Sequence, residues 1–286
     1  MRKQIYNQNV NSQIHMIGMD LDWTLLDHSN GKLYINDKLI KWLSCYIEDG
    51  NYAGIVSGRN AWEMKDILER LGYPWGKPFP NFYIHRESYI NIIEDGVDRS
   101  WEEYNAPTRR QVSDFLLSLG PYLSKWKNEL ECAGLTIRKW NLYGDFSFEI
   151  QMGNLEQGDR AIEILTKSIQ QIGLKNCYIH RNGTLVTILE ANCSGKGNAL
   201  SKAAEHFGLQ PNQVLAIGDS LNDMTMVDGK MGFIGGCVGN GDELLKKAVI
   251  KCNGYIGNGV ASEGIIDIIK SLIAEGKLKN YDGASL

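Results

Sequence analysis

No stretch of this 286-residue chain approaches the roughly 20 consecutive apolar residues that a bilayer-crossing helix needs, which argues against a membrane span. The opening residues Met1-Arg2-Lys3-Gln4-Ile5-Tyr6 run into polar Asn and Gln without an apolar core, so a secretory signal is not expected. Positive charge is not in excess. Thirty Lys and Arg stand against 34 Asp and Glu, a formal net charge of −4, and no basic run is interleaved with aromatics; general nucleic-acid binding is therefore not expected. The six cysteines are scattered, with no C-x-x-C pair and no histidine at zinc spacing, so they read as free thiols of a reducing cytoplasm. The phosphate-binding pattern G-x-x-x-x-G-K-[ST] is absent, because Gly197 follows Lys196, and Gly235 to Asn240 do not make a G-x-G-x-x-G fingerprint. That glycine-rich stretch reads instead as a turn between strand and helix. Internal repeats and low-complexity tracts are also missing.

What is present is an ordinary globular composition, 43% hydrophobic, long enough for about two domains. Against that background two acid clusters stand out. The apolar run Ile14 to Met19 reads as a short buried strand, and Asp20-Leu21-Asp22 follows at its exit. Residues i and i+2 of extended chain point the same way, so both carboxylates can address one site. Two anions this close repel unless a cation or a shared proton relieves them, although a solvated turn would also account for an isolated D-x-D. The second cluster, Gly218-Asp219-Ser220-Leu221-Asn222-Asp223, follows the apolar run Val214 to Ile217. Gly218 reads as a sharp turn. The oxygen-only donors of Asp219, Asn222 and Asp223 favour Mg²⁺ over zinc or copper, unless they only cap a helix starting near Met224.

Two anion-type signals lie between these clusters. The strand-like run Tyr52 to Val56 ends in Ser57-Gly58-Arg59-Asn60 ahead of a helical pattern, which places a hydroxyl and free amides at a helix N-terminus. Either Ser57 or Asn60 could simply cap that helix. Ser194-Gly195-Lys196-Gly197 opens another helix, and a lysine in a first turn works against the helix dipole unless an anion sits beside it.

The order D-L-D-W-T, S-G-R, G-K-G-N-A-L, G-D-S-L-N-D resembles the haloacid dehalogenase superfamily of aspartate-nucleophile phosphatases, and within it the Cof-type and sucrose-phosphatase-like branch. The resemblance covers residues 14–85 and 189–270. It implies Asp20 as nucleophile, Asp22 as general acid and base, and Lys196 as a catalytic and phosphate-binding cation. It further implies phosphate contacts from Thr24, Ser57 and Gly58, with Thr24 bracing the first loop. Mg²⁺ would be held by Asp20, the Asp22 carbonyl and Asp219, supported by Asn222 and Asp223. Trp23 departs from the pattern, standing where the family usually carries glycine or asparagine; it is read as narrowing the pocket or stacking on a substrate.

The expected architecture is α/β: a Rossmann-like core with a parallel sheet and helices on both faces, from residues 1–85 and 189–286. An inserted α+β cap of the family's C2 type would occupy 86–188. Gly and Pro breakers from Gly72 to Pro80 precede the excursion, after one more core strand near Phe82–His85. Helices are expected over Asp37–Glu48, Thr108–Leu119 and Leu155–Ile172, strands over Leu135–Trp140 and Phe146–Gln151, and a hairpin about Asn182-Gly183. His85, Arg86, His180 and Arg181 read as surface or hairpin groups, with contact to a sugar hydroxyl or anion as the alternative. The implied activity is Mg²⁺-dependent hydrolysis of a small phosphorylated sugar or related metabolite, without nucleic-acid or membrane partners. A phosphosugar mutase, or a ligand-sensing protein that keeps the fold without turnover, is the alternative.

Overall fold

The computed structural model describes residues 13–29, 31–143, 146–281, 284 and 286, with the side chains of 141–143 set aside. The opening segment, read above as lacking a signal core, lies outside them. Among the described residues no helix is long and apolar enough to cross a membrane. All six cysteines are free.

The chain begins with β1 (Met16–Met19), every residue of which is buried. Helix α1 (Asp37–Glu48) is capped by Asn36, whose side chain accepts from the Lys38 amide, and buries Leu39, Trp42, Leu43 and Tyr46 at helical spacing. Strand β2 (Tyr52–Val56) and helix α2 (Ala61–Arg70) follow, then β3 (Phe82–His85). Strands β4 (Tyr89–Glu94) and β5 (Val97–Ser100) continue the same sheet antiparallel to β3. The larger sheet therefore does not end at residue 85. The apolar alternation of Ile90 and Ile92 packs against the core face occupied by Phe82 and Ile84, and this corrects the expected start of the insertion to the helix after Ser100.

That helix, α3 (Glu102–Cys132), is much longer than the expected 108–119. Its apolar stripe runs past Gly120-Pro121, because Trp126 and Leu130 bury themselves on the same core as Leu116 and Leu119. Strands β6 (Ile137–Tyr143) and β7 (Ser147–Met152), helix α4 (Leu155–Ile172), and strands β8 (Cys177–Asn182) and β9 (Leu185–Glu190) complete a second unit. Its antiparallel sheet has the order β6-β7-β9-β8. Strand β9 stays paired with β8 as far as Glu190, so the unit closes there, not at 188.

The chain then returns through α5 (Lys196–His206), β10 (Val214–Gly218), α6 (Met224–Val227), β11 (Ile234–Cys237), α7 (Glu243–Lys251), β12 (Tyr255–Ile256) and α8 (Ser262–Ala274). Strand β11 falls where a turn was expected. Gly235 is required there by contact, since a Cβ on it would lie 2.1 Å from the Val227 carbonyl oxygen.

The large sheet has the order β12-β11-β10-β1-β2-β3-β4-β5, parallel from β12 to β3. From β1 the chain winds one way to β2 and β3, then on its return the other way from β10 to β12. The gap between β1 and β10 is thus a topological switch point, where open α/β sheets leave a crevice at the strands' carboxyl ends. One sheet face is covered by α1, α2 and α8 around Trp42, Met64 and Ile268, the other by α5, α6 and α7 around Leu200, Met226 and Leu245.

Candidate active site

Parallel register sets Met19 level with Ile217 on one side and Ile55 on the other. Asp20, Gly218-Asp219 and Ser57 therefore leave their strands at the same edge. Helix α5 crosses so closely over β1 that a Cβ on Gly18 would lie 2.8 Å from Leu200 Cδ1, and this crossing delivers Lys196 above Asp20.

Lys196 is fully buried, and its Nζ donates to Asp20 Oδ1 at 2.7 Å and to Asp223 Oδ1 at 2.5 Å. The other Asp223 oxygen accepts from the Asp219 and Ser220 amides at 2.9 and 3.0 Å. Gly218 is not in the left-handed region, so the expected sharp turn is not its role. It makes room, since a Cβ there would stand 2.4 Å from Asp223 Cβ. Thr24, expected on the substrate phosphate, is instead buried with its hydroxyl donating to Asp219 Oδ1 at 2.8 Å. It steadies a carboxylate, because the chain reverses at Asp20–Leu25 and carries the hydroxyl back under the β10 loop.

One oxygen each from Asp20, Asp219 and Asp223 lies within 4.8 Å of the others. Burial, with the Asp223 and Asp219 charges added, pushes the Asp20 carboxyl well above its usual range despite Lys196. Burial and Asp223 likewise push Asp219 up to about 7. Burial alone would lower the Lys196 ammonium, but the Asp20, Asp223 and Glu87 charges outweigh it and hold the proton on. Three clustered carboxylates, two of them buried and one half-buried, share one ammonium and are under-neutralised, and the donors are all hard oxygen. That set fits Mg²⁺.

The Asp22 carboxylate does not join the cluster. Arg59 grips it from two nitrogens, and the His28 ring lies 2.9 Å from its Oδ1. The helix after S-G-R is capped by Asn60 in a box with Glu63, which leaves Ser57 and Gly58 on the cavity wall. Ser57 Oγ accepts from the Arg59 amide at 3.1 Å. Asn222, expected to support the metal ligands, makes its side-chain hydrogen bonds to Ser220 and Glu87, its Oδ1 accepting from Ser220 Oγ at 2.5 Å. Its amide donates to Glu87 Oε1 at 2.8 Å, because the tight 221–223 turn carries its side chain toward β3–β4. Trp23 has φ 62°, which explains why glycine or asparagine suits that position. Its ring packs 5.0 Å from His28 and takes no part in lining the cavity, so the expected narrowing or stacking is not seen.

A cavity of about 410 Å³ opens over these groups. Its floor is Asp20, Asp22, Ser57, Gly58 and Arg59; its far wall comes from the second unit and includes Glu149, His180 and Thr187. Arg86 and His180, read from sequence as surface groups, line it, and His180 is 5% exposed. Arg181 instead pairs with Asp159. Sequence reasoning missed Arg59 as the holder of Asp22, although its place directly after the Ser57-Gly58 seat was a usable signal. It also missed Glu87, for which nothing in the pattern spoke.

The haloacid dehalogenase-like hydrolase family model matches residues 150–269. A 5-amino-6-(5-phospho-D-ribitylamino)uracil phosphatase of Bacillus subtilis is 26% identical over 84% of this chain and 90% of its own length. The chain is thus similar to haloacid dehalogenase-like hydrolases, as its motifs lead one to expect. A phosphoglycolate phosphatase of Methanosarcina acetivorans is 31% identical over 43% of this chain and 48% of its own. The Synechocystis sucrose-phosphatase structure covers 94% of this chain and all of its own, with TM-score 0.61 and 18% identity. The fold is accordingly that of the haloacid dehalogenase core with an inserted α+β cap, and the similarity to named phosphatases supports a phosphatase.

Proposed function

We propose that this haloacid dehalogenase-like phosphatase hydrolyses a small phosphorylated sugar, polyol or related metabolite with Mg²⁺, through an aspartyl-phosphate on Asp20. The observation that carries the reading is the single buried ammonium of Lys196 bridging Asp20 and Asp223 at the switch point. Asp20 attacks phosphorus, the bond from phosphorus to the ester oxygen breaks, and Asp22 gives its proton to the departing oxygen. Asp22 then accepts a proton from the water that attacks the aspartyl-phosphate, releasing inorganic phosphate and restoring Asp20. Ser57 and the Gly58 amide hold a phosphate oxygen, and Lys196 screens the approach of anion to anion. Asp20, Asp219 and the Asp22 carbonyl would hold Mg²⁺, with Asp223 fixed beside them; when bound, it neutralises phosphate charge. The cavity volume suits a small metabolite. Six free thiols support a cytoplasmic setting.

The test is phosphate release from p-nitrophenyl phosphate and a panel of sugar, polyol, nucleotide and carboxylated phosphate esters, with Mg²⁺ or with EDTA. Mg²⁺-dependent release that disappears in Asp20→Asn is expected. Equal release with EDTA, or from the Asp20→Asn protein, would overturn the reading.

A further inference from the structure

The cap presents an ordered row of polar groups to the cavity. In the β7–β9 register Glu149 stands opposite Thr187, and in the β8–β9 register His180 stands opposite the same Thr187. Side chains opposite one another in adjacent strands share a face, so carboxylate, hydroxyl and imidazole follow one another across three strands, about 10 Å end to end. All three line the cavity.

His180 is held in place from the core. Between β3 and β4, Arg86 and Glu87 adopt φ 48° and 54°, a left-handed conformation that bulky side chains rarely take. Such strain persists where the surroundings demand it. Here it drives the Glu87 carboxylate into the protein, where Oε1 accepts from Asn222 and Oε2 lies 3.3 Å from His180 Nε2. Burial would raise the Glu87 carboxyl, but the His180 and Lys196 charges and the Asn222 amide hold it at about 2. A carboxylate only accepts, so it favours the imidazole proton on Nε2. The 3.3 Å approach is an ion-pair contact and not a completed hydrogen bond: Glu87 Oε2 and both His180 nitrogens are buried without a hydrogen-bond partner among the described residues.

We propose that Glu149, Thr187 and His180 form a hydroxyl-reading row for the leaving group, with Glu87 as the residue that positions His180, and that the leaving group is an uncharged polyol or sugar. This rests on the phosphatase reading above. An acceptor carboxylate, a hydroxyl that can donate or accept, and an imidazole nitrogen each pair with a substrate hydroxyl. A carboxylate or second phosphate on the leaving group would instead face Glu149 and Glu87. Arg86 does not reverse this, because its guanidinium sits 5.2 Å over the Phe146 ring in a cavity wall that also carries both acids. Burial raises the Glu149 carboxyl above its usual range, and hydrogen bonds from substrate hydroxyls would favour its ionised form.

The experiment compares kcat/KM for ribitol phosphate, phosphoglycolate and p-nitrophenyl phosphate, with Mg²⁺, in the wild type and in His180→Ala, Glu149→Ala, Glu87→Gln and the Glu87→Gln/His180→Ala double variant. The wild type is expected to prefer ribitol phosphate over phosphoglycolate by at least roughly tenfold. His180→Ala and Glu149→Ala are expected to cut the ratio of ribitol phosphate to p-nitrophenyl phosphate by roughly tenfold, mainly through KM, at unchanged circular dichroism. Glu87→Gln should move that ratio in the same direction, and the double variant should fall no further than His180→Ala. A wild type that hydrolyses p-nitrophenyl phosphate but prefers phosphoglycolate, or variants that lose all three activities in proportion, would overturn the row while leaving the phosphatase reading intact. No Mg²⁺-dependent hydrolysis of any ester would overturn both.

Discussion

Arg59 holds Asp22 with two nitrogens, Nε to Oδ2 at 2.6 Å and Nη2 to Oδ1 at 2.8 Å. A paired fork of this kind fixes the carboxylate plane as well as its charge. The proton donor of the proposed reaction is therefore aimed by the residue after the phosphate seat. Replacing Asp22 with Asn should lower kcat about 10²- to 10⁴-fold for alkyl phosphates, and much less for aryl phosphates, whose leaving groups need no proton. Arg59→Ala should show the same leaving-group dependence with a smaller loss. Steady-state kinetics on an alkyl and an aryl ester decide it; equal losses on both would remove the acid role from Asp22.

Lys196 is the only cation in contact with Asp20 and Asp223 among the described residues, and it is buried with them. Lys196→Met leaves those largely buried acids without their counter-ion. Breaking a buried charge pair typically costs about 3–5 kcal/mol. Urea denaturation in EDTA should show a loss of that order, and Mg²⁺ should recover part of it. An unchanged midpoint would mean the carboxylates are relieved some other way.

The raised carboxyls of Asp20 and Asp219 make a signed prediction about pH. An acid whose folded pKa lies above its unfolded value keeps its proton longer in the folded state. Its contribution therefore weakens folding as pH rises from about 4 through about 7, the value to which Asp219 is pushed. A divalent cation takes the place of those protons. The rise in Tm on adding Mg²⁺ should accordingly be larger at pH 8 than at pH 5.5. Scanning calorimetry at both values, with and without the metal, measures it, and a larger rise at the acidic value would contradict the assignment.

Trp23 sits at φ 62° with its ring half in solvent. Left-handed backbone costs a side-chain-bearing residue about 1–2 kcal/mol, against which the indole gains one ring contact with His28. Trp23→Gly should leave the fold intact and stabilise it by about 1 kcal/mol or less, read from denaturant midpoints. A clear destabilisation would show that the indole packing outweighs the strain.

Much of the core could be read along the chain, because its signals are local. Strands buried on both faces appear as short apolar runs, and α1 and α4 fall on the expected Asp37–Glu48 and Leu155–Ile172 since cap, periodicity and stop signal agree. The acids of both clusters were legible because each ends such a run. Helix α3 was cut short because Gly120-Pro121 is a stop signal, overruled here by the burial of Trp126 and Leu130. Strand β11 was missed because its glycines serve close packing, Gly235 on Val227 and Gly236 on Ile217 and Ile268, not a turn.

The sequence by itself determined where the strands end and which oxygen-bearing residues stand at those ends, since hydrophobic period and chain exit are properties of neighbours in the chain. Only the tertiary structure decided which of those residues face one another. Thr24 spends its hydroxyl on Asp219, Asn222 turns to Glu87, and Arg59 reaches Asp22. It alone placed Glu87 against His180, a contact between residues 93 positions apart. Side-chain pairing across a switch point depends on strand register, helix crossing and close approach at glycine. No local pattern encodes these, because each is fixed by packing between segments distant in the chain.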